Sequence, residues 1–87
     1  MVLVKQAVEK AVEFVQEMYE GQALDDLRLE EVERSDDNKL WSITLSFLKP
    51  PSPLQSSLSL PRSREYKVVA VSAETGEVRS MKIRTLT

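Results

Sequence analysis

The sequence predicts an α+β fold in which one N-terminal amphipathic helix packs on a four-stranded antiparallel meander sheet, in the order α-β-β-β-β. Three observations predict it. A helical apolar stripe is confined to the first 20 residues, residues 39–48 alternate apolar and hydroxylated side chains, and the strand-like runs fall into two pairs, each joined by a turn-forming segment. With 87 residues the chain reads as a single domain, 1–87, since the commonest domain size is about 100–150 residues.

The helix comes first. Val4, Val8, Ala11, Val15 and Met18 follow a 4-3-4-3 spacing that places them on one stripe, widened by Ala7, Phe14 and Tyr19. Lys5, Glu9, Lys10, Glu13, Gln16, Glu17 and Glu20 form the outer face, and Gly21 stands where a left-handed residue would end the helix. Acids in a last turn oppose the helix dipole, so Glu17 and Glu20 are expected to serve a partner or the neighbouring strand.

After a connector at 22–26, residues 27–34 read as the first strand. Leu27 and Leu29 share one parity while Val32 has the other, which calls for a bulge or a frayed end. Residues 39–48 are the clearest strand: Trp41, Ile43, Leu45 and Phe47 line one face and Ser42, Thr44 and Ser46 the other. Between them Ser35, Asp36, Asp37 and Asn38 provide the side chains of a tight turn, giving a hairpin. Residues 49–63 hold all four prolines and five serines and read as a semi-extended or mobile loop rather than a packed helix. The third strand is read at 64–73 and the fourth at 77–86, joined by Glu74, Thr75 and Gly76 as a type I turn closed by a left-handed glycine.

Composition removes whole classes of chemistry. There is no cysteine and no histidine, so zinc-finger, Cys-His, Ser-His-Asp, haem and disulfide readings all lack an essential ligand or nucleophile. No cofactor and no metal site is expected. Asp25, Asp26, Glu30 and Glu31 are the densest carboxylates, but alternation along a strand sends Glu30 and Glu31 to opposite faces; Asp36-Asp37-Asn38 lacks the glycine and distal glutamate of a calcium loop. Ser80 and Lys82 share a strand face without an oxyanion donor, and no nucleophile comes with both a base and an orienting group, so the chain is read as not an enzyme.

The longest apolar stretches, 1–4 and 68–71, are far shorter than the roughly 20 residues that span a bilayer, and no basic segment precedes an apolar core at the N-terminus. The expectation is a cytoplasmic protein with no membrane partner. The net charge of −2 hides a polarity: residues 1–44 carry −6 and residues 45–87 carry +4. Arg62, Arg64, Lys67, Arg79, Lys82 and Arg84 cluster near Tyr66, a ring on which a base could stack, but the acidic half would repel phosphate, and no nucleic-acid partner is expected.

In the second hairpin, Tyr66-Lys67-Val68-Val69-Ala70-Val71 followed by Thr75-Gly76-Glu77-Val78 resembles the PepSY pattern of a tyrosine-led strand closing on a T-G-x-V turn. The order of one helix and four strands is similar to PepSY-like and cystatin-like domains. Ser72 stands where PepSY domains usually carry an aspartate, and the Q-x-V-x-G hairpin and late loop tryptophan of cystatin inhibitors are absent. The resemblance implies a non-catalytic module that inhibits or docks onto another protein, often a peptidase.

The functional reading is a non-catalytic protein-interaction module, a regulatory or inhibitory subunit, binding through charged sheet edges or the Pro-rich loop. Arg79, Lys82 and Arg84 mark the basic edge, Glu30, Glu31 and Glu33 the acidic edge, and Leu54, Leu58 and Leu60 the loop. The same edges would allow a homodimer. The alternative is a small-ligand carrier using the concave side of the sheet, walled by Trp41 and Tyr66.

Overall fold

The alternation in residues 39–48 dictates the centre of the molecule. In the computed structural model, which describes residues 1–20, 24–49, 53–59 and 63–84, this segment forms β2 (Leu40–Leu48), flanked by β1 (Asp25–Arg34) and β3 (Arg64–Ser72). With β4 (Val78–Ile83) they make a four-stranded antiparallel sheet in the order β1-β2-β3-β4, and α1 (Val4–Met18) packs on one face of it. The α+β fold expected from the sequence is the fold observed.

The buried stripe of α1 is centred on Ala7, Ala11 and Val15, all fully covered, while Val4 and Met18 are exposed at its flanks. Small side chains at 7 and 11 let the helix approach closely. They meet Ile43, Leu45 and Phe47 of β2 and Val69 and Val71 of β3, with Val2, Val8, Val12, Tyr19 and Trp41 closing the margins. The helix leans over β2, β3 and β4 and makes no comparable contact with β1.

Residues 1–3 are not helical, because Val2 is held elsewhere. Its N–H donates to the Ala73 carbonyl at 2.7 Å and its carbonyl accepts from Trp41 Nε1 at 3.0 Å. This fastens the chain start to the end of the sheet. Leu3 then begins the helix with its N–H bonded to Gln6 Oε1 at 2.9 Å, the half of a capping box that a leucine cap permits. Gly21, the expected helix stop, lies outside the described residues.

The parity break in β1 is a bulge. Leu29 opposes Leu45 and Glu31 opposes Thr44, so Glu30 is the extra residue, and Leu29 and Val32 both face the helix side. A second irregularity lies between Asp25 and Arg28, where Asp26 takes φ 53°. The edge strand β4 has its own bulge: Ala70 opposes Ser80 and Val71 opposes Val78, leaving Arg79 extra. Both edges are thus interrupted at a charged residue, an arrangement that discourages open-ended strand pairing.

Side chains close both hairpins as their composition suggests. Ser35 Oγ donates to Asp37 Oδ1 at 2.6 Å and accepts from the N–H of Leu40 at 3.0 Å, while Asn38 takes φ 60°. In the second turn Ser72 Oγ accepts from the N–H groups of Glu74 and Thr75, and Gly76 takes φ 80°. A Cβ on Gly76 would also stand 3.3 Å from Val2 Cγ2, so conformation and the N-terminal tether both favour glycine there.

The Pro-rich segment departs from expectation. Pro53–Ser57 forms one helical turn, α2, rather than an extended loop. A proline at the first helical position presets φ and gives up a donor that would have no partner, so Pro53 starts a helix where a proline in its middle would break one. The Leu58 N–H donates to the Leu54 carbonyl at 3.1 Å and extends the turn. Strands β1, β2, β3 and β4 otherwise begin and end within a few residues of the expected limits, and 85–87 lie outside the described residues.

Candidate interaction surface

No described helix covers the second face of the sheet, yet Thr44 and Ser46 in its middle are almost fully buried. Two arginines cover them. Arg84 Nη1 donates to Glu31 Oε2 at 2.6 Å and to Thr44 Oγ1 at 3.2 Å, reaching from beyond β4 towards β1. Arg64 Nη1 donates to Ser46 Oγ at 2.8 Å and to the Asp26 carbonyl at 3.1 Å, and its Nη2 meets the Asp26 carboxylate, which also receives Arg28 at 2.7 Å. The hydroxyl row of β2 is therefore roofed by internal ion pairs, and part of the sequence polarity is neutralised within the chain.

These pairs set the titration of the acids. Glu33 stands beside Glu31 on this face; a hydrogen bond between them favours the proton on Glu33, raising it above the ordinary 4.5, while that bond and Arg84 hold Glu31 below 4.5. Arg28 and Arg64 lower Asp26, and Ser35 and the Lys39 N–H lower Asp37. Asp26, Glu31 and Asp37 contribute stability that is present above the ordinary carboxylate values and lost as pH falls through their lowered ones. Glu33 has the opposite sign: its contribution is complete below 4.5 and lost as pH rises through its raised value, so ionised Glu33 opposes folding at neutral pH. Glu33→Gln is expected to raise the melting temperature at pH 7, with the gain closing below pH 4.5. Melting curves against pH check it; a gain that persists unchanged in acid would contradict the Glu31–Glu33 contact.

The sequence-chosen edge residues separate into two groups. Glu31 and Arg84 are paired with each other across the face, and Glu33 is engaged with Glu31. Glu30 and Arg79 are the bulge residues of the two edges, and Lys82 is exposed on β4. Leu54 on α2 and Leu58 immediately after it are 65% and 59% exposed and one helical turn apart, and among the described residues α2 rests against no other helix or strand. Leu60 lies outside the described residues.

Lys67 does not belong to an outer basic cluster. It shares parity with Val69 and Val71, is buried under α1, and interacts with Tyr19 and Glu65. Burial pulls its pKa down, but the Tyr19 and Glu65 interactions outweigh this and raise it above 10.5, so it is a structural cation. Trp41 and Tyr66 cannot wall one pocket. Trp41 opposes Val71 on the helix side, carrying Arg34 over its ring at 5.0 Å, whereas Tyr66 opposes Ser46 on the other face. The space between α1 and the central strands β2 and β3 is filled by the core side chains.

Sequence reasoning missed one further feature. Because α1 leans away from β1, an open cleft of about 440 Å³ remains between them, lined by Val4, Val8, Leu29 and Val32, with Lys5 and Glu9 at its rim. The signal was present: α1 carries Val4, Val8 and Val12 in addition to the Ala7-Ala11-Val15 stripe, more apolar surface than one sheet face covers.

Comparison with protein-family models, curated proteins and solved structures gave no match to this chain. Among the described residues no helix is long and apolar enough to cross a membrane.

Proposed function

We propose that the chain is a cytoplasmic, non-catalytic protein-interaction module, a regulatory or inhibitory subunit that docks through α2 and the basic β4 edge. The observation that carries the reading is the pair of leucines at α2, Leu54 within it and Leu58 just after it. Leu54 and Leu58 are one turn apart, exposed, and not used by the protein's own core. A helical turn, continued by the Leu58 N–H to Leu54 carbonyl bond, that presents leucines at i and i+4 suits an apolar groove on another protein. Arg79 at the β4 bulge and Lys82 further along that strand form a separate basic feature, on the edge strand rather than around α2, that favours an acidic partner surface and sets orientation more than affinity. The resemblance of the Tyr66–Val78 hairpin to PepSY domains supports an inhibitory or docking role. The carrier alternative is weakened because Trp41 and Tyr66 lie on opposite faces of the sheet.

The test is affinity capture from cell lysate with the tagged full chain beside Leu54→Asp/Leu58→Asp and Arg79→Glu/Lys82→Glu variants, each checked for native circular dichroism. A protein retained by the wild type, lost with the leucine variant and reduced with the charge variant is expected. Equal capture by all three would overturn the assignment of this surface.

A further inference from the structure

We infer that the α1–β1 cleft is a dimerisation surface, occupied by the same cleft of a second copy of this chain around a two-fold axis. It uses neither α2 nor β4, so it stands independently of the docking surface above. Three observations point to a second copy. The cleft is apolar on both walls: Val8 and Val32 pack against the core, and Val4 and Leu29 beside them are 43% and 49% exposed. These side chains are the part of the apolar face of α1 and of β1 that the fold leaves uncovered, because α1 makes no contact with β1.

Its rim is charged in a self-complementary way. Lys5 and Glu9 stand one helical turn apart beside Val4 and Val8. A wholly acidic or wholly basic partner would oppose one of the two. A second α1 running antiparallel across a two-fold axis at the level of residues 6–8 places Lys5 of each copy opposite Glu9 of the other, so one pair of residues is matched twice. Val8, which lies between them, then meets its copy beside the axis.

The geometry of β1 favours packing by faces over pairing by edges. With one irregularity at Asp26 and a bulge at Glu30, its outer edge does not offer a continuous ladder to another strand. Leu29 and Val32 on the helix side remain available to a facing copy. Four apolar side chains and the stems of Lys5 and Glu9 cover less than the roughly 800 Å² per partner of a standard interface, so the dimer is expected to form at micromolar concentration.

Sedimentation velocity across the micromolar range tests it. The wild type is expected to shift from monomer to dimer with concentration, Val4→Glu/Leu29→Glu to stay monomeric, and Leu54→Asp/Leu58→Asp to dimerise as the wild type does. Lys5→Glu alone should weaken association roughly tenfold, and Lys5→Glu/Glu9→Lys should restore it. Lys5 and Glu9 are exposed, so this charge pair keeps the test decisive if the apolar variant fails to fold. A wild type that stays monomeric throughout, a dimer unaffected by Val4→Glu/Leu29→Glu, loss of the dimer in the α2 variant, or a charge reversal that does not restore association would each overturn the inference.

Discussion

Replacing Phe47 by alanine is expected to cost about 3–5 kcal/mol and to leave the chain close to its unfolding limit. Among the described residues Phe47 is the largest fully buried side chain, packed beneath α1, and its ring meets Tyr19 edge-on at 5.2 Å between centroids. Truncation removes that contact and opens a cavity that the neighbouring strand residues cannot close, since β2 is fixed by hydrogen bonds to β1 and β3. For a chain of 87 residues the whole stability is about 4–13 kcal/mol, so this one side chain is a large share of it. Urea denaturation followed by circular dichroism checks the result. A loss below about 1 kcal/mol would contradict the placement of Phe47 under the helix.

The second large effect has the opposite cause. Ala11→Leu is expected to destabilise by about 1–3 kcal/mol although leucine is a good helix former, because Ala11 is fully covered and faces the centre of the sheet. The longer side chain has no space unless α1 lifts from β2 and β3. Lifting the helix moves one wall of the α1–β1 cleft, so self-association should weaken together with stability. Leucine at Val4, on the exposed margin of the helix, is expected to leave stability nearly unchanged. If both substitutions have equal effects, the close approach through Ala7 and Ala11 is wrong.

What was legible in the sequence followed short-range periodicity. The alternation from Trp41 to Phe47 gives β2 and its two faces, and the opposed parity of Leu29 and Val32 announces the bulge at Glu30. The turn at Ser35–Asn38 is written in the side chains of Ser35 and Asp37, which bond each other and the N–H groups of Lys39 and Leu40. Distance along the chain hides the rest. Arg84 and Glu31 are 53 positions apart and meet only because β1 and β4 are the two edges of one narrow sheet and a long guanidinium bridges its face. The Val2 tether depends likewise on Trp41 and Ala73 meeting at one end of the sheet. Lys67 was readable by parity with Val69 and Val71, but its charge suggested an outer position; Tyr19 and Glu65 supply the inward partners that reverse that expectation. The four prolines of 49–63 point to a semi-extended or mobile loop rather than a packed helix, but Pro53 stands at the first position of α2, where a proline initiates a helix.

For the proposed interaction surface, the same distinction matters. The charged edges are visible as runs of acids and bases, but the run does not say which charges are already matched within the chain. Glu31, Arg84, Arg64 and Asp26 are. Among the described residues that leaves Arg79 and Lys82 on β4, and Leu54 and Leu58 at α2, as features offered outward by the basic half of the chain.

Hydrogen exchange of the full chain, with and without the protein captured by wild type and lost by Leu54→Asp/Leu58→Asp, tests the central claim most directly. Added protection at α2 and along β4, with the α1–β1 cleft unchanged, is the predicted footprint. Protection confined to the face bearing Thr44, Ser46 and Tyr66, or no change at α2, would contradict it.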